Sequence, residues 1–239
     1  MRVNYNYIKI LLLLGLVVFL CAFSTKRNAK RKIQVPEIKF VGDDNLYVTH
    51  ETVSKLLIVN EASVTNKPKR IIDLNELESA LNSNAMIKNA QVSMSVDGLL
   101  SAEIEQRKPI ARVRTNASYY IDDEGDFMPL SGNYTARVPL VTGAVEKNNL
   151  FTVFEIAKKV QSDKFLTKHV VQIHQNLDGS VNMKFRKHEF EIQLGSLVLL
   201  DKKINNLKAF YAKAMKDNLL DKYDIVNLKF DQQVICSKK

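Results

Sequence analysis

Ile10 to Phe23 reads ILLLLGLVVFLCAF, fourteen consecutive residues without a polar side chain. Such a run must be taken out of water, in a core or in a membrane. As a helix it covers about 21 Å at a rise of about 1.5 Å per residue, short of the ~30 Å hydrocarbon core of a bilayer. Tyr5–Lys9 and Ser24–Thr25 bring it to spanning length, because tyrosine suits the interface and lysine snorkels. Ile10, Leu14, Val18 and Phe23 then mark an anchor over residues 10–25, behind a short tail, 1–9. The competing reading is a cleaved secretory signal, with Ala22-Phe23-Ser24 at the cleavage position. Phe in the middle of that tripeptide, and large aliphatics running up to Cys21, favour the uncleaved anchor. A lipidated Cys21 is disfavoured too, because Leu20 stands where a small residue is needed.

The net charge of +9 would suit nucleic acid if it were spread over a folded surface. It is not spread. Residues 1–35 hold seven Lys/Arg and no acid, leaving 28 basic against 26 acidic residues in the remainder. The excess flanks the apolar run, mainly in a basic linker, 26–36, that ends at Pro36. That linker either rests on anionic headgroups or serves as a solvated spacer. By the positive-inside rule, the five Lys/Arg between Lys26 and Lys32 would hold the bulk of the chain in the cytoplasm. Two cysteines, Cys21 in the apolar run and Cys236, are not expected to pair.

From Ile38 onward the pattern is α+β. EIKFVG predicts a strand closed by Gly42, and Thr49 caps a helix bearing Val53, Leu56 and Leu57. Asp73 with Glu76 predicts a capping box for a helix bearing Leu74, Leu77 and Leu81. AQVSMSV and LLSAEIEQ alternate apolar and polar residues on either side of Asp97-Gly98. That pattern predicts a β-hairpin with one buried face. Two helices on one face of a three-stranded sheet would complete a small domain, residues 37–107.

After Lys108-Pro109 strands dominate, in a second domain over 108–239. ARVRT and SYYID read as strands, with Glu124-Gly125 as the turn before DFMPL. A helix is expected over Leu150–Ser162. A meander of HVVQIHQ, SVNMKF and EFEIQL follows, with a turn at Asp178-Gly179. A helix over Leu200–Asn218 carries Ile204, Leu207, Tyr211, Ala214 and Met215 on one stripe. DIVNLKF and QQVIC close the sequence as two short strands joined at Asp231.

Nothing in the chain reads as a catalytic centre, and no cofactor or metal is expected. His169 and His174 lie on one predicted strand at a spacing that sends them to opposite faces. The acidic run Asp122–Asp126 has the wrong glycine position for a calcium loop and reads as a solvated hairpin tip. Cys236 has no basic neighbour to activate it, and no Gly-rich phosphate loop or serine-nucleophile motif is present.

The stretch FDQQVICSKK poses the sharper question. QQVIC is β-branched and free of Gly and Pro. As a strand at a sheet edge it is either satisfied within its own sheet, with Lys238 and Lys239 guarding the end, or open to a partner's strand. In the second case Phe230, Gln232, Gln233, Val234, Ile235 and Cys236 are the contact candidates. Either Val234 and Cys236, or Gln233 and Ile235, would face the partner.

IEQRKPIARV resembles the ERKP-A signature that ends the POTRA domain of the FtsQ/DivIB cell-division family. YYIDDEGDFMPLS resembles that family's next hairpin, and YDIVNLKFDQQVICSKK its closing strands. The order of tail, anchor, POTRA domain and β-domain matches over essentially the whole chain. In place of the aromatic that some members carry in the last strand, this chain has Ile235 and Cys236. The resemblance implies a non-enzymatic, single-pass inner-membrane protein with its bulk in the periplasm, at the division septum. It implies FtsB/FtsL-like bitopic coiled-coil partners bound at the terminal strand, other divisome components with the POTRA domain as a contact surface, and no small-molecule substrate. The alternative is a POTRA-type periplasmic chaperone of protein export, for which further POTRA repeats or barrel strands are expected.

Overall fold

The computed structural model describes residues 5–29, 35–43, 45–59, 62–63 and 72–239. Arg2 of the expected tail and Lys30, Arg31 and Lys32 of the expected linker lie outside the described residues. The chain divides into two compact units, Met1–Gln106 and Arg107–Lys239.

In the first unit, helix α1 runs Tyr5–Ala29. Its Lys9–Arg27 stretch is long and apolar enough to cross a membrane. Strand β1 (Glu37–Val41) leads to α2 (His50–Leu56), a two-residue hairpin of β2 (Ile58–Val59) and β3 (Ala62–Ser63), and α3 (Leu74–Asn82). Both helix starts carry side-chain caps, at Thr49 and at Asp73. The Thr49 hydroxyl accepts from the Thr52 amide, and the Asp73 carboxylate from Asn75 and Glu76. Each such cap is worth about 1 kcal/mol over alanine.

Strands β4 (Ile87–Met94) and β5 (Leu100–Gln106) form the expected hairpin, with Gly98 at φ 88 in the turn. Ala90, Val92, Leu100, Ala102 and Ile104 are buried with Val53 of α2, Leu57 just after it, and Leu77 and Leu81 of α3. The sheet order is β1-β5-β4, β1 joining parallel to β5 with Ile38 opposite Ala102 and Phe40 opposite Ile104. Gln106, only 3% exposed, fastens the loop before α2. Its Oε1 accepts from the Tyr47 and Val48 amides at 2.9 and 3.0 Å, and its Nε2 donates to the Val48 carbonyl at 2.9 Å.

The second unit is built on a nine-stranded mixed sheet. Its strands are β6 (Pro109–Arg114), β7 (Ser118–Asp122), β8 (Phe127–Met128), β9 (Leu140–Gly143), β10 (Val170–Gln175), β11 (Val181–Phe185), β12 (Glu191–Gly195), β13 (Tyr223–Asn227) and β14 (Ile235–Lys238). The order is β14-β13-β12-β11-β10-β9-β6-β7-β8. β9 lies parallel between β6 and β10, a placement that the residue pattern did not reveal. Gly143 ends it at φ 96, where a Cβ would sit 2.1 Å from the Gln175 carbonyl oxygen.

Three helices share one core with this sheet: α4 (Phe151–Ser162), α5 (Lys164–His169) and α6 (Leu200–Lys216). Val153, Ile156, Leu166, Ile204 and Leu207 pack there with Val141, Ile173, Met183, Ile192 and Val226. Each large aliphatic fully buried in this way contributes about 1.5–3 kcal/mol. Gln172, His174, Asn182, Glu191 and Gln193 alternate with the buried residues and give the other face of the central strands its polar character.

Three expectations are corrected. His169 closes α5 rather than opening a strand, because Asp163 starts a new helical turn by accepting from the Phe165 and Leu166 amides. The acidic tip is not simply solvated, since Asp122 is fully buried and Arg107 bridges it to Asp126. The final strand runs Ile235–Lys238, later than QQVIC, with Gln232 and Gln233 in the exposed turn before it.

Candidate partner-binding edge

β14 is placed by a chain of local constraints. Leu228 is buried, and its amide donates to the Gln193 carbonyl at 2.9 Å, which carries β13 past the end of its ladder. The Asn227 side chain then accepts from the Lys229 amide at 2.9 Å and starts a turn. Phe230, Asp231, Gln232 and Gln233 follow in solvent, and Val234 returns to pack against the core.

The register of β13 and β14 sets Ile235 opposite Asn227, Cys236 opposite Val226 and Ser237 opposite Ile225. Val226 is itself paired with Ile192 of β12, so Ile192, Val226 and Cys236 form one inward row. Cys236 packs against the core, and burial pushes its thiol above the ordinary value of 9.0. That removes the thiolate a reactive cysteine needs. Val234 and Cys236 are therefore turned toward the protein's own core, while Ile235 is 42% exposed and Phe230 47% exposed.

The Lys239 amide donates to the Lys222 carbonyl at 3.0 Å, so that residue's main chain points toward β13. By the alternation of an antiparallel ladder, Ser237 and Ile235 do the same, and Cys236 and Lys238 turn their N–H and C=O groups to the outside. Among the described residues no strand lies beyond β14. Sequence reasoning missed Lys238 as a contributor because lysine and serine carry no strand signal. Only the register reveals the outward main chain. The far end of β14 is tied down by the Lys239 ammonium, which donates to Glu189 Oε2 at 2.7 Å. This bond and the attendant charge attraction hold the Glu189 carboxyl below its ordinary range and Lys239 above its own.

Other polar clusters have structural partners. Asp122, Glu124 and Asp126 bring carboxylate oxygens within 4.8 Å of one another, the spacing of a cation site. Arg107 supplies the cation there, and Asp122 Oδ1 accepts from the Glu124 and Asp126 amides at 3.0 and 2.8 Å. His174 Nδ1 meets Thr142 Oγ1 at 2.9 Å, and His188 bridges Asp221 and Tyr211. In the first unit Ile10, Leu14, Val18 and Phe23 are all exposed along α1.

The described residues thus combine a helix long and apolar enough to cross a membrane with an α+β body whose larger sheet ends in a strand paired on one side. Comparison with known protein families matches residues 108–237, more than half of the chain, to the family described as "FtsQ/DivIB, C-terminal related". The chain belongs to the FtsQ/DivIB family. It is also similar to the cell division protein FtsQ of Geotalea daltonii (strain DSM 22248 / JCM 15807 / FRC-32), 25% identical over 112 residues. That likeness covers 46% of this chain and 38% of the relative, well under half of its length.

Proposed function

We propose that this protein is a non-enzymatic, single-pass scaffold of the bacterial division machinery. Membership of the FtsQ/DivIB family supports a role in cell division. In this reading residues 1–9 are a cytoplasmic tail, 10–25 cross the inner membrane and 26–36 form a basic linker. Residues 37–107 are a POTRA domain and 108–239 the β-domain, both periplasmic and gathered at the septum. The β1-β5-β4 sheet with α2 and α3 packed into its core is compatible with a POTRA arrangement.

The observation that carries the proposal is the one-sided pairing of β14 beside exposed Phe230 and Ile235. An FtsB/FtsL-like bitopic coiled-coil partner adds a strand there. The main chain of Cys236 and Lys238 supplies hydrogen bonds, each worth about 0.5–1.5 kcal/mol net. Those bonds alone give weak binding, so Ile235 and Phe230 supply apolar contact and Lys238 a charge. Gln232 and Gln233 border the contact, and Val234 and Cys236 hold the strand to its own core. The scaffold thereby positions septal peptidoglycan synthesis.

The test is a photo-crosslinking residue at Ile235 or Phe230 in dividing cells, with a topology reporter fused after Lys239. Crosslinks to a small bitopic coiled-coil protein and a periplasmic reporter are expected. A cytoplasmic reporter, or no intermolecular crosslink at either position, would refute the proposal.

A further inference from the structure

A cavity of about 510 Å³ opens where the first residues of β6 and β10 meet the turn between α4 and α5. Its floor is aliphatic, formed by the buried side chains of Ile110, Val160 and Val170. Arg137 and Arg186 stand at its rim, both exposed. Neither makes an ion pair among the described residues, and no carboxylate lines the cavity.

The two guanidiniums stem from fixed main chain. The Arg186 amide donates to the His169 carbonyl at 2.8 Å, and the Ala136 amide, next to Arg137, to the Tyr120 hydroxyl at 3.1 Å. Lys108, Lys168 and Lys187, each next in sequence to a lining residue, are exposed as well. Besides burial, the charges of Lys168, His188 and Lys187 hold the nearby His169 imidazole below its ordinary value.

Guanidinium groups bind carboxylates through paired, charge-assisted hydrogen bonds. An apolar floor under two such groups suits an aliphatic or aromatic side chain flanked by acidic ones. The exposed Gln161 amide in the same lining offers a donor and an acceptor, which a peptide main chain uses and an acyl chain does not. We propose that this cavity is a second docking site, which takes a short acidic and apolar peptide segment of a partner protein. Three strands separate β10 from β14, so the site is distinct from the terminal edge.

The test is a selection of displayed random octapeptides against the full chain in non-ionic detergent, followed by anisotropy of labelled winners. Peptides with Asp or Glu flanking Leu or Phe are expected. The R137E/R186E variant is expected to bind them at least tenfold more weakly while keeping its unfolding midpoint, since both side chains are exposed. Winners without acids, or acidic winners that bind the variant equally, would overturn the proposal. So would displacement of the winners by inorganic phosphate alone, or arginine-dependent binding of phosphatidylglycerol vesicles without any peptide binding.

Discussion

The ammonium of Lys239 donates to the carboxylate of Glu189, fifty residues earlier, at 2.7 Å, closing the far end of β14 onto the turn before β12. Both side chains are exposed, so the pair fixes position more than it adds stability. Its carboxyl is held below the ordinary range, so the contribution is present above the unfolded value and is lost as pH falls through the lowered folded one. Amide exchange at Ser237 and Lys239, whose N–H groups point toward β13, is therefore expected to quicken when pH drops below the ordinary glutamate range, after correction for intrinsic rates. Glu189→Gln is expected to reproduce that quickening at neutral pH, and an unchanged rate would show that the pair does not anchor the strand.

Proline substitutions separate the two sides of β14. Lys238 turns its N–H outward, so Lys238→Pro is tolerated by the fold, as proline is on an exposed sheet edge. Ser237 turns its N–H toward β13, so Ser237→Pro loses a ladder bond and destabilises the strand. Partner binding is expected to weaken about tenfold or more in Lys238→Pro with the unfolding midpoint unchanged. Titration of the partner against both variants, beside urea unfolding, checks this assignment.

Arg107 compensates a fully buried carboxylate, that of Asp122. Burial works against the guanidinium's charge, but hydrogen bonds to Asp122 and Asp126 outweigh it and hold Arg107 above its ordinary value. Arg107→Leu strands the Asp122 charge, and a loss of about 3–5 kcal/mol is expected in urea unfolding. Asp122→Asn keeps an oxygen to accept from the Glu124 and Asp126 amides and is expected to cost less. Equal losses from the two variants would show that the charge is not what matters.

The outer edge of β4 is covered by side chains instead of a strand. Asn82 accepts from the Ala90 amide at 2.8 Å and donates to its carbonyl at 3.3 Å, and Glu78 accepts from the Val92 amide at 3.2 Å. Asn82→Leu is expected to cost about 1–3 kcal/mol through unsatisfied main-chain groups. It also uncovers a pairing edge, so concentration-dependent association should rise, as read by light scattering.

Local rules decided a good part of this protein. The hairpin of β4 and β5 follows from alternation and Asp97-Gly98, and the starts of α2 and α3 follow from Thr49 and Asp73. The fourteen-residue apolar run sets the character of α1 without any partner. These features depend on residues a few positions apart, whose geometry is the same in any fold.

The placements on which the proposed binding rests were not legible in this way. β9 is four residues long and gains its identity from parallel neighbours, β6 and β10, that are distant in sequence. QQVIC has strand propensity, yet the ladder begins at Ile235 and extends through Ser237 and Lys238, because β13 supplies hydrogen bonds there. Alternation alone left open whether Val234 and Cys236 or Ile235 faced outward. The sequence determined which segments could become strands. The tertiary structure decided which of their edges stayed unpaired, because a strand's hydrogen bonds are completed only by another strand.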